Sequence, residues 1–237
     1  MKFHAPLVKG TLVKRYKRFM ADVTLEDGTV VTAHCANSGS MLSVNEPGAE
    51  VWISPAANPD RKLKWTWELI RIGDTLVGIN TALPNAIVAE AIEAGKIPEL
   101  ASYESLRREV KYGKNSRIDI LLSDPDRGLC YVEVKNVHLK RDEDVPGLAE
   151  FPDAVTARGA KHLDEMADMV AEGHRAVMFY LIQRTDCDRF TLSTDIDPHY
   201  GERFKAARSN GVEAIAYDCS IDTDAVTVRS ALPIVGL

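Results

Sequence analysis

The rhythm of apolar and polar positions changes once along the chain, near Asn80. Before it, short runs rich in Val, Ile, Thr and aromatics recur at residues 7–16, 19–25, 29–34, 50–54, 63–71 and 75–79. Such runs, bounded by turn residues, predict strands. Glu26-Asp27-Gly28 is a hairpin signal, because Gly accepts the positive φ that a tight turn needs, and Gly73-Asp74 is a second turn. Five or six short strands with no helical period between them predict a small barrel, and the OB-fold is the five-stranded case.

Beyond Asn80 the period becomes helical. Leu83, Ile87, Ala91 and Ala94 fall on one stripe; Asn80 or Thr81 can cap it, Pro84 suits its first turn, and Gly95 and Pro98 stop it. Strands are predicted at 106–111, 117–122 and 129–137, the last two joined by the turn Asp124-Pro125-Asp126-Arg127-Gly128. A helix follows at 156–172 with Leu163, Met166, Ala167 and Val170 on its apolar stripe, then a buried strand at 176–183, a helix at 198–209, and strands at 212–217 and 225–229. Strands and helices in this order predict an α/β or α+β domain around one mixed sheet. The expected division is a barrel over residues 1–80 and the mixed-sheet domain over 81–237.

The longest unbroken apolar run, residues 176–182, is far short of the roughly 20 residues that span a bilayer. The start, MKFHAPLVKG, lacks the apolar core of an export signal. The four cysteines form no C-x-x-C pair and no zinc spacing. Together these point to a reduced chain in the cytoplasm with no membrane contact. The net charge of −6 argues at first against nucleic acid, but it is unevenly spread. Six basic residues and no acid lie between Lys2 and Arg18. Charge is screened within about 8 Å at physiological salt, so local patches outweigh the total.

The segment SRIDILLSDPDRGLCYVEVKNVHL, residues 116–139, carries the candidate chemistry. Side chains alternate along a strand at about 3.3 Å per residue, so Glu133 and Lys135 share one face. Asp119, one strand earlier, can face the same side, with Ile118 and Ile120 turned to the core. Two carboxylates at one spot repel unless a cation joins them. Their hard oxygens suit Mg²⁺ (or Mn²⁺), which takes one or two carboxylates and keeps several waters. Asp119 and Glu133 are thus candidate metal ligands, with Glu90 on the preceding helix as a third. Lys135, Glu90 and Gln183, at the end of strand 176–183, are the candidate catalytic groups. The same spacing also fits a solvated charged face.

Candidate nucleic-acid contacts are Lys9, Lys14, Arg15, Lys17 and Arg18, interleaved with Tyr16 and Phe19 as a strand-binding barrel would place them. Arg61, Lys62 and Lys64 with Trp65 and Trp67 form a similar set, although either tryptophan also fits a barrel core. Arg158, Lys161 and His162 share a polar stripe on the helix at 156–172, facing either solvent or DNA. The Asn37-Ser38-Gly39 loop can approach a phosphate or the second domain. No P-loop, G-x-S-x-G or H-E-x-x-H occurs, which disfavours a P-loop NTPase, an α/β-hydrolase and a zincin.

The blocks CANSGSM at 35–41, LPNAIVAEAI at 83–92, RREVKYGKNSRIDILL at 107–122, YVEVKNVHL at 131–139 and FPDAVTARGAKHLDEM at 151–166 resemble the sugar fermentation stimulation protein family over the whole length. The resemblance implies an N-terminal OB-fold followed by a PD-(D/E)xK nuclease-like domain, DNA binding, and a link to control of sugar (maltose) metabolism. It carries the nuclease motif onto Asp119, Glu133 and Lys135, with Glu90 as the helix carboxylate and Ile118 where the motif's name has proline. Two functions compete: a Mg²⁺-dependent phosphodiesterase acting on DNA, and a DNA-binding regulator of sugar-metabolism genes that does no chemistry. A weaker third is a barrel that binds a protein or small ligand. No obligate protein partner is implied, and an exposed strand edge would allow two copies to pair.

Overall fold

The computed structural model describes residues 1–113, 116–141 and 145–236. Its first half is a closed barrel of five strands: β1 (Val8–Tyr16), β2 (Met20–Leu25), β3 (Val30–His34), β4 (Glu50–Pro55) and β5 (Trp65–Ile72). The ring runs β1-β2-β3-β5-β4 and returns to β1, with the β3–β5 contact parallel and the others antiparallel. This is the OB arrangement. Closure satisfies every strand edge in the ring, which a small sheet cannot otherwise do. Leu12, Val23, Ile53, Trp67 and Ile70 fill the interior, and Trp67 donates its indole N–H to the Leu69 carbonyl at 2.9 Å. Trp67 is therefore a core residue, and Trp65 is half-buried against the same core. A sixth strand, β6 (Thr75–Gly78), extends β5 antiparallel.

The second half begins with α1 (Pro84–Glu93), then β7 (Ser105–Tyr112), β8 (Ser116–Asp124), β9 (Gly128–Val137), β10 (Leu148–Phe151), α2 (Ala157–Ala171), β11 (Arg175–Ile182), β12 (Arg189–Leu192), α3 (Pro198–Ser209), β13 (Glu213–Ile221) and β14 (Val226–Leu232). Six of these strands form one mixed sheet in the order β14-β13-β11-β9-β8-β7. β9, β11 and β13 are parallel; β7, β8 and β14 run against their neighbours. The sheet's central strands are apolar on both faces, as burial between helix layers requires. α1 covers one face over Ile120, Leu122, Val132, Val134 and Phe179. α2 and α3 cover the other, where Leu163, Met166, Tyr200 and Phe204 meet Tyr131, Met178 and Tyr180.

Three features fall outside the sequence reading. The four-residue strands β10 and β12 pair in parallel as a separate small sheet. The first residues join the second half: Lys2 bridges to Ala225, and the Phe3 N–H donates to the Asp224 carbonyl at 2.9 Å. The halves are also stitched at Gly78, whose N–H donates to the Gln183 carbonyl at 3.0 Å. The Gln183 side chain packs so closely there that a Cβ at position 78 would collide with it.

Candidate active site

The register of the mixed sheet builds the site. Arg108 pairs with Ile120 and Val110 with Ile118, which brings Glu109 level with Asp119. Ile120 pairs with Val132, which brings Asp119 level with Glu133. Three carboxylates therefore stand in one row across β7, β8 and β9. Like charges directly opposite on neighbouring strands are destabilising, so such a row needs neutralising partners.

Asp119 receives two. The Val134 N–H donates to Oδ2 at 2.8 Å, and Asn85 Nδ2, from the first turn of α1, donates to Oδ1 at 2.8 Å. The same Asn85 nitrogen donates to Glu109 Oε1 at 3.0 Å. Glu109 holds φ at +55°, a left-handed conformation costly for any residue but Gly. Burial, and then the Glu133 charge, push the Asp119 carboxyl up to about 6.

Glu133 is buried, with 2 % of its surface exposed. Its Oε1 accepts from Lys135 Nζ at 2.7 Å and from His162 Nδ1 on α2. Burial works against its charge, but Lys135 and His162 outweigh burial and hold the carboxyl below its usual range. Its Oε2 is buried with no hydrogen-bond partner among the described residues. A buried carboxylate oxygen without a donor costs roughly 1–3 kcal/mol or more unless something else meets it. Among the described residues no three His, Cys, Asp or Glu side chains close a metal cage. The donor set is instead the unpartnered Glu133 Oε2 with Asp119 level with it on the neighbouring strand, hard oxygens of the kind that Mg²⁺ takes while keeping several waters.

The site differs from the sequence expectation at several positions. Glu90 is not in it. At about 100° per helical residue, five positions turn Glu90 roughly 140° away from Asn85. There it forms an ion pair with the Met1 amino group at 2.9 Å. Asn85 is the α1 side chain that reaches Asp119. Gln183 is also elsewhere: it donates to Asn136 Oδ1 at 2.5 Å and packs against Gly78 at the junction of the halves. His162 is buried beneath the carboxylates rather than facing DNA. Arg158 is exposed on the same helix, its Nε 3.4 Å from His162 Nε2, and Lys161 contacts Ser116 Oγ at 3.2 Å and Glu165 at 3.3 Å.

The basic arm of the barrel is largely engaged with the barrel itself. Lys9 pairs with Glu50 and lies over Trp52; Lys14 is 3.9 Å from Asp22 and lies over Tyr16. Arg15 spreads across the carbonyls of Arg18 at 3.1 Å and of Asn37 and Gly39 at 3.0 Å each, a structural strut. Lys17 and Arg18 form the β1–β2 turn. The Asn37–Gly39 loop does approach the second half: Ser40 Oγ donates to the Asp153 carbonyl at 2.5 Å and the Met41 N–H to Asp153 Oδ2 at 2.9 Å. Asn85, Glu109 and Asn136 are site residues that the sequence reading does not include, and His162 is one that it assigns to solvent or DNA instead of to Glu133. Their roles depend on helix rotation and strand register, which a single sequence does not display.

Comparison with known proteins supports this architecture. Residues 13–79 match a family model described as the SfsA N-terminal OB domain, and residues 82–225 one described as the sugar fermentation stimulation protein RE domain. A sugar fermentation stimulation protein homolog of Rhodospirillum rubrum is 60 % identical, covering 99 % of each chain. One of Paramagnetospirillum magneticum is also 60 % identical, covering 98 % of this chain and 97 % of its own. A solved structure of Pyrococcus furiosus SfsA in complex with Ca²⁺ superposes with a TM-score of 0.86 at 24 % identity, covering 99 % of this chain and 97 % of that one.

Proposed function

The chain belongs to the sugar fermentation stimulation protein family, and from that premise we propose that it is a divalent-metal-dependent nuclease acting on DNA. The observation that carries this reading is Glu133 Oε2, an unpartnered oxygen on a buried carboxylate, with a second carboxylate level with it and an ammonium bound to its other oxygen. Asp119 and Glu133 would hold Mg²⁺ or Mn²⁺. The Ca²⁺ in the Pyrococcus furiosus relative, another hard cation that favours oxygen ligands, supports a divalent ion. Such an ion, when bound, polarises a phosphoryl oxygen and acidifies a bound water.

The chain's own groups supply orientation and charge. Asn85 and the Val134 N–H fix both oxygens of Asp119. His162 anchors Glu133 from beneath. Lys135 sets a positive charge beside the row, where charge builds on a phosphate as its ester bond breaks. No described helix is long and apolar enough to cross a membrane.

The test is incubation with single-stranded, duplex and branched DNA in Mg²⁺ or Mn²⁺, alongside Lys135→Ala and Glu133→Gln. Cleavage by the wild type that both variants lose supports the reading. Retention of DNA in gel shifts, with no cleavage under any metal, would leave the regulator that binds without chemistry.

A further inference from the structure

We propose that the cleft between barrel and mixed-sheet domain takes a single strand of nucleic acid, seating one nucleotide beside the reacting phosphate, with Arg18 at its mouth as the contact to the adjoining phosphate. The proposal rests on the nuclease reading only for where the reacting phosphate lies.

The cleft has a volume of about 400 Å³ and runs from Asn85 and Lys135 to the barrel loop at Asn37–Gly39 and to Arg18. That volume lies near the lower end of the roughly 300–1,000 Å³ that holds a small organic ligand, enough for one nucleotide unit. That volume leaves no room for the paired base and second backbone of a duplex. Nor can the cleft widen easily. Asp153 ties its two walls together through Ser40 and Met41, and a Cβ on Gly39 would meet Asp153 Oδ2 at 2.6 Å. The loop wall is fixed from behind, where Asn37 donates to the Ile79 carbonyl at 3.0 Å and accepts from the Gly39 N–H at 2.9 Å. The facing wall carries Asn136, His138 and Phe151: Asn136 and His138 are bonded to each other at 3.0 Å, Asn136 Oδ1 also accepts from Gln183, and the Phe151 ring packs on Tyr180 and Tyr200. These side chains are committed to the fold, so the wall shapes the cleft and leaves the charge at its two ends to hold the strand.

The backbone at the mouth is strained. Lys17 and Arg18 hold φ at +47° and +63°, successive left-handed residues where Asn-Gly would be relaxed. Such strain persists where surrounding contacts enforce it, and Arg15 does so by gripping the Arg18 carbonyl and the loop carbonyls at once. Arg18 is exposed and forms no ion pair among the described residues, unlike Lys9 and Lys14. The geometry thus keeps one unneutralised guanidinium at the entrance of a cleft that ends at Lys135.

The experiment is fluorescence anisotropy with a labelled six-nucleotide oligothymidylate and a labelled hairpin duplex, in EDTA to prevent cleavage, with salt varied. We expect the single strand to bind at least tenfold tighter than the duplex. Arg18→Gln should weaken it five- to tenfold and reduce the salt slope by about 0.7, the loss of one phosphate contact on a single strand, while Lys14→Gln leaves it unchanged. Lys17→Asn combined with Arg18→Gly should melt at a higher temperature than the wild type yet bind as weakly as Arg18→Gln. Duplex binding equal to or tighter than single-strand binding, or an Arg18→Gln protein that binds like the wild type, overturns the proposal. Metal-dependent cleavage confined to duplex would preserve the nuclease reading while removing this one. Arg18-dependent strand binding without any cleavage would do the reverse.

Discussion

One amide nitrogen, Asn85 Nδ2, lies 2.8 Å from Asp119 Oδ1 and 3.0 Å from Glu109 Oε1. A helix side chain thereby holds carboxylates from two neighbouring strands in one arrangement. Groups that orient a ligating carboxylate typically carry 10–100-fold in metal affinity. We expect Asn85→Ala to weaken Mn²⁺ binding about tenfold and Glu109→Gln by a smaller factor, both by calorimetry. Glu90→Gln should leave the affinity unchanged, because Glu90 is committed to the Met1 amino group. A large effect of Glu90→Gln and none of Asn85→Ala would contradict this assignment.

The difference between Asn85 and Glu90 shows where the sequence stops being informative. The helix and its stop were legible from period, Pro and Gly, but its start was not: the cap falls at Leu83, without a side-chain bond, and not at Asn80 or Thr81; nor was the side chain that faces β8, since rotation about the helix axis is set by packing on Ile120 and Val132. β9 was legible with its alternation of Glu133 and Lys135. The β10–β12 pair was not, because four-residue strands carry too few alternations to reveal a period. His162 misled for a related reason. A polar helix stripe with Arg158, Lys161 and Glu165 has the composition of a solvated face, yet here part of it covers buried carboxylates.

Asp119 gives a pH dependence of stability in metal-free protein. Its folded value of about 6 lies above the ordinary aspartate value of about 3.9. The fold therefore favours the protonated form. The stabilising contribution is complete below about 3.9 and is lost as pH rises through 6. Asp119→Asn, neutral at every pH, should raise the melting temperature of metal-free protein at pH 7.5 by a few degrees, and the two proteins should converge near pH 4. Parallel melting curves at both pH values would contradict the shift.

Asp153 works in the opposite direction. Burial raises its carboxyl, but the His138 contact, the Met41 N–H and Ser40 together outweigh burial and hold it below the usual range. Its contribution is present above the unfolded value of about 3.9 and disappears as pH falls through the lower folded value. Asp153→Ala strips the Met41 N–H and His138 of their partner, and we expect a loss of about 1–3 kcal/mol in denaturant unfolding at pH 7. That loss should shrink on acidification. A variant as stable as the wild type at pH 7 would show that the clamp between the two halves is not held by this residue.

His162 supports Glu133 without facing solvent. His162→Leu removes the donor and leaves Glu133 Oε1 with Lys135 alone, so Mn²⁺ affinity should fall about tenfold. His162→Asn, which can offer an N–H from a shorter side chain, should recover part of it. Equal affinity in all three proteins would mean that His162 only fills space.

The most direct measurement of the account is a calorimetric titration of Mn²⁺ into the metal-free protein and into Glu133→Gln at pH 7.5, with circular dichroism confirming that both are folded. We expect saturable binding by the wild type and its loss, or a weakening of at least a hundredfold, in the variant. No binding by the wild type, or the same affinity in Glu133→Gln, would contradict the assignment of Asp119 and Glu133 as a metal centre.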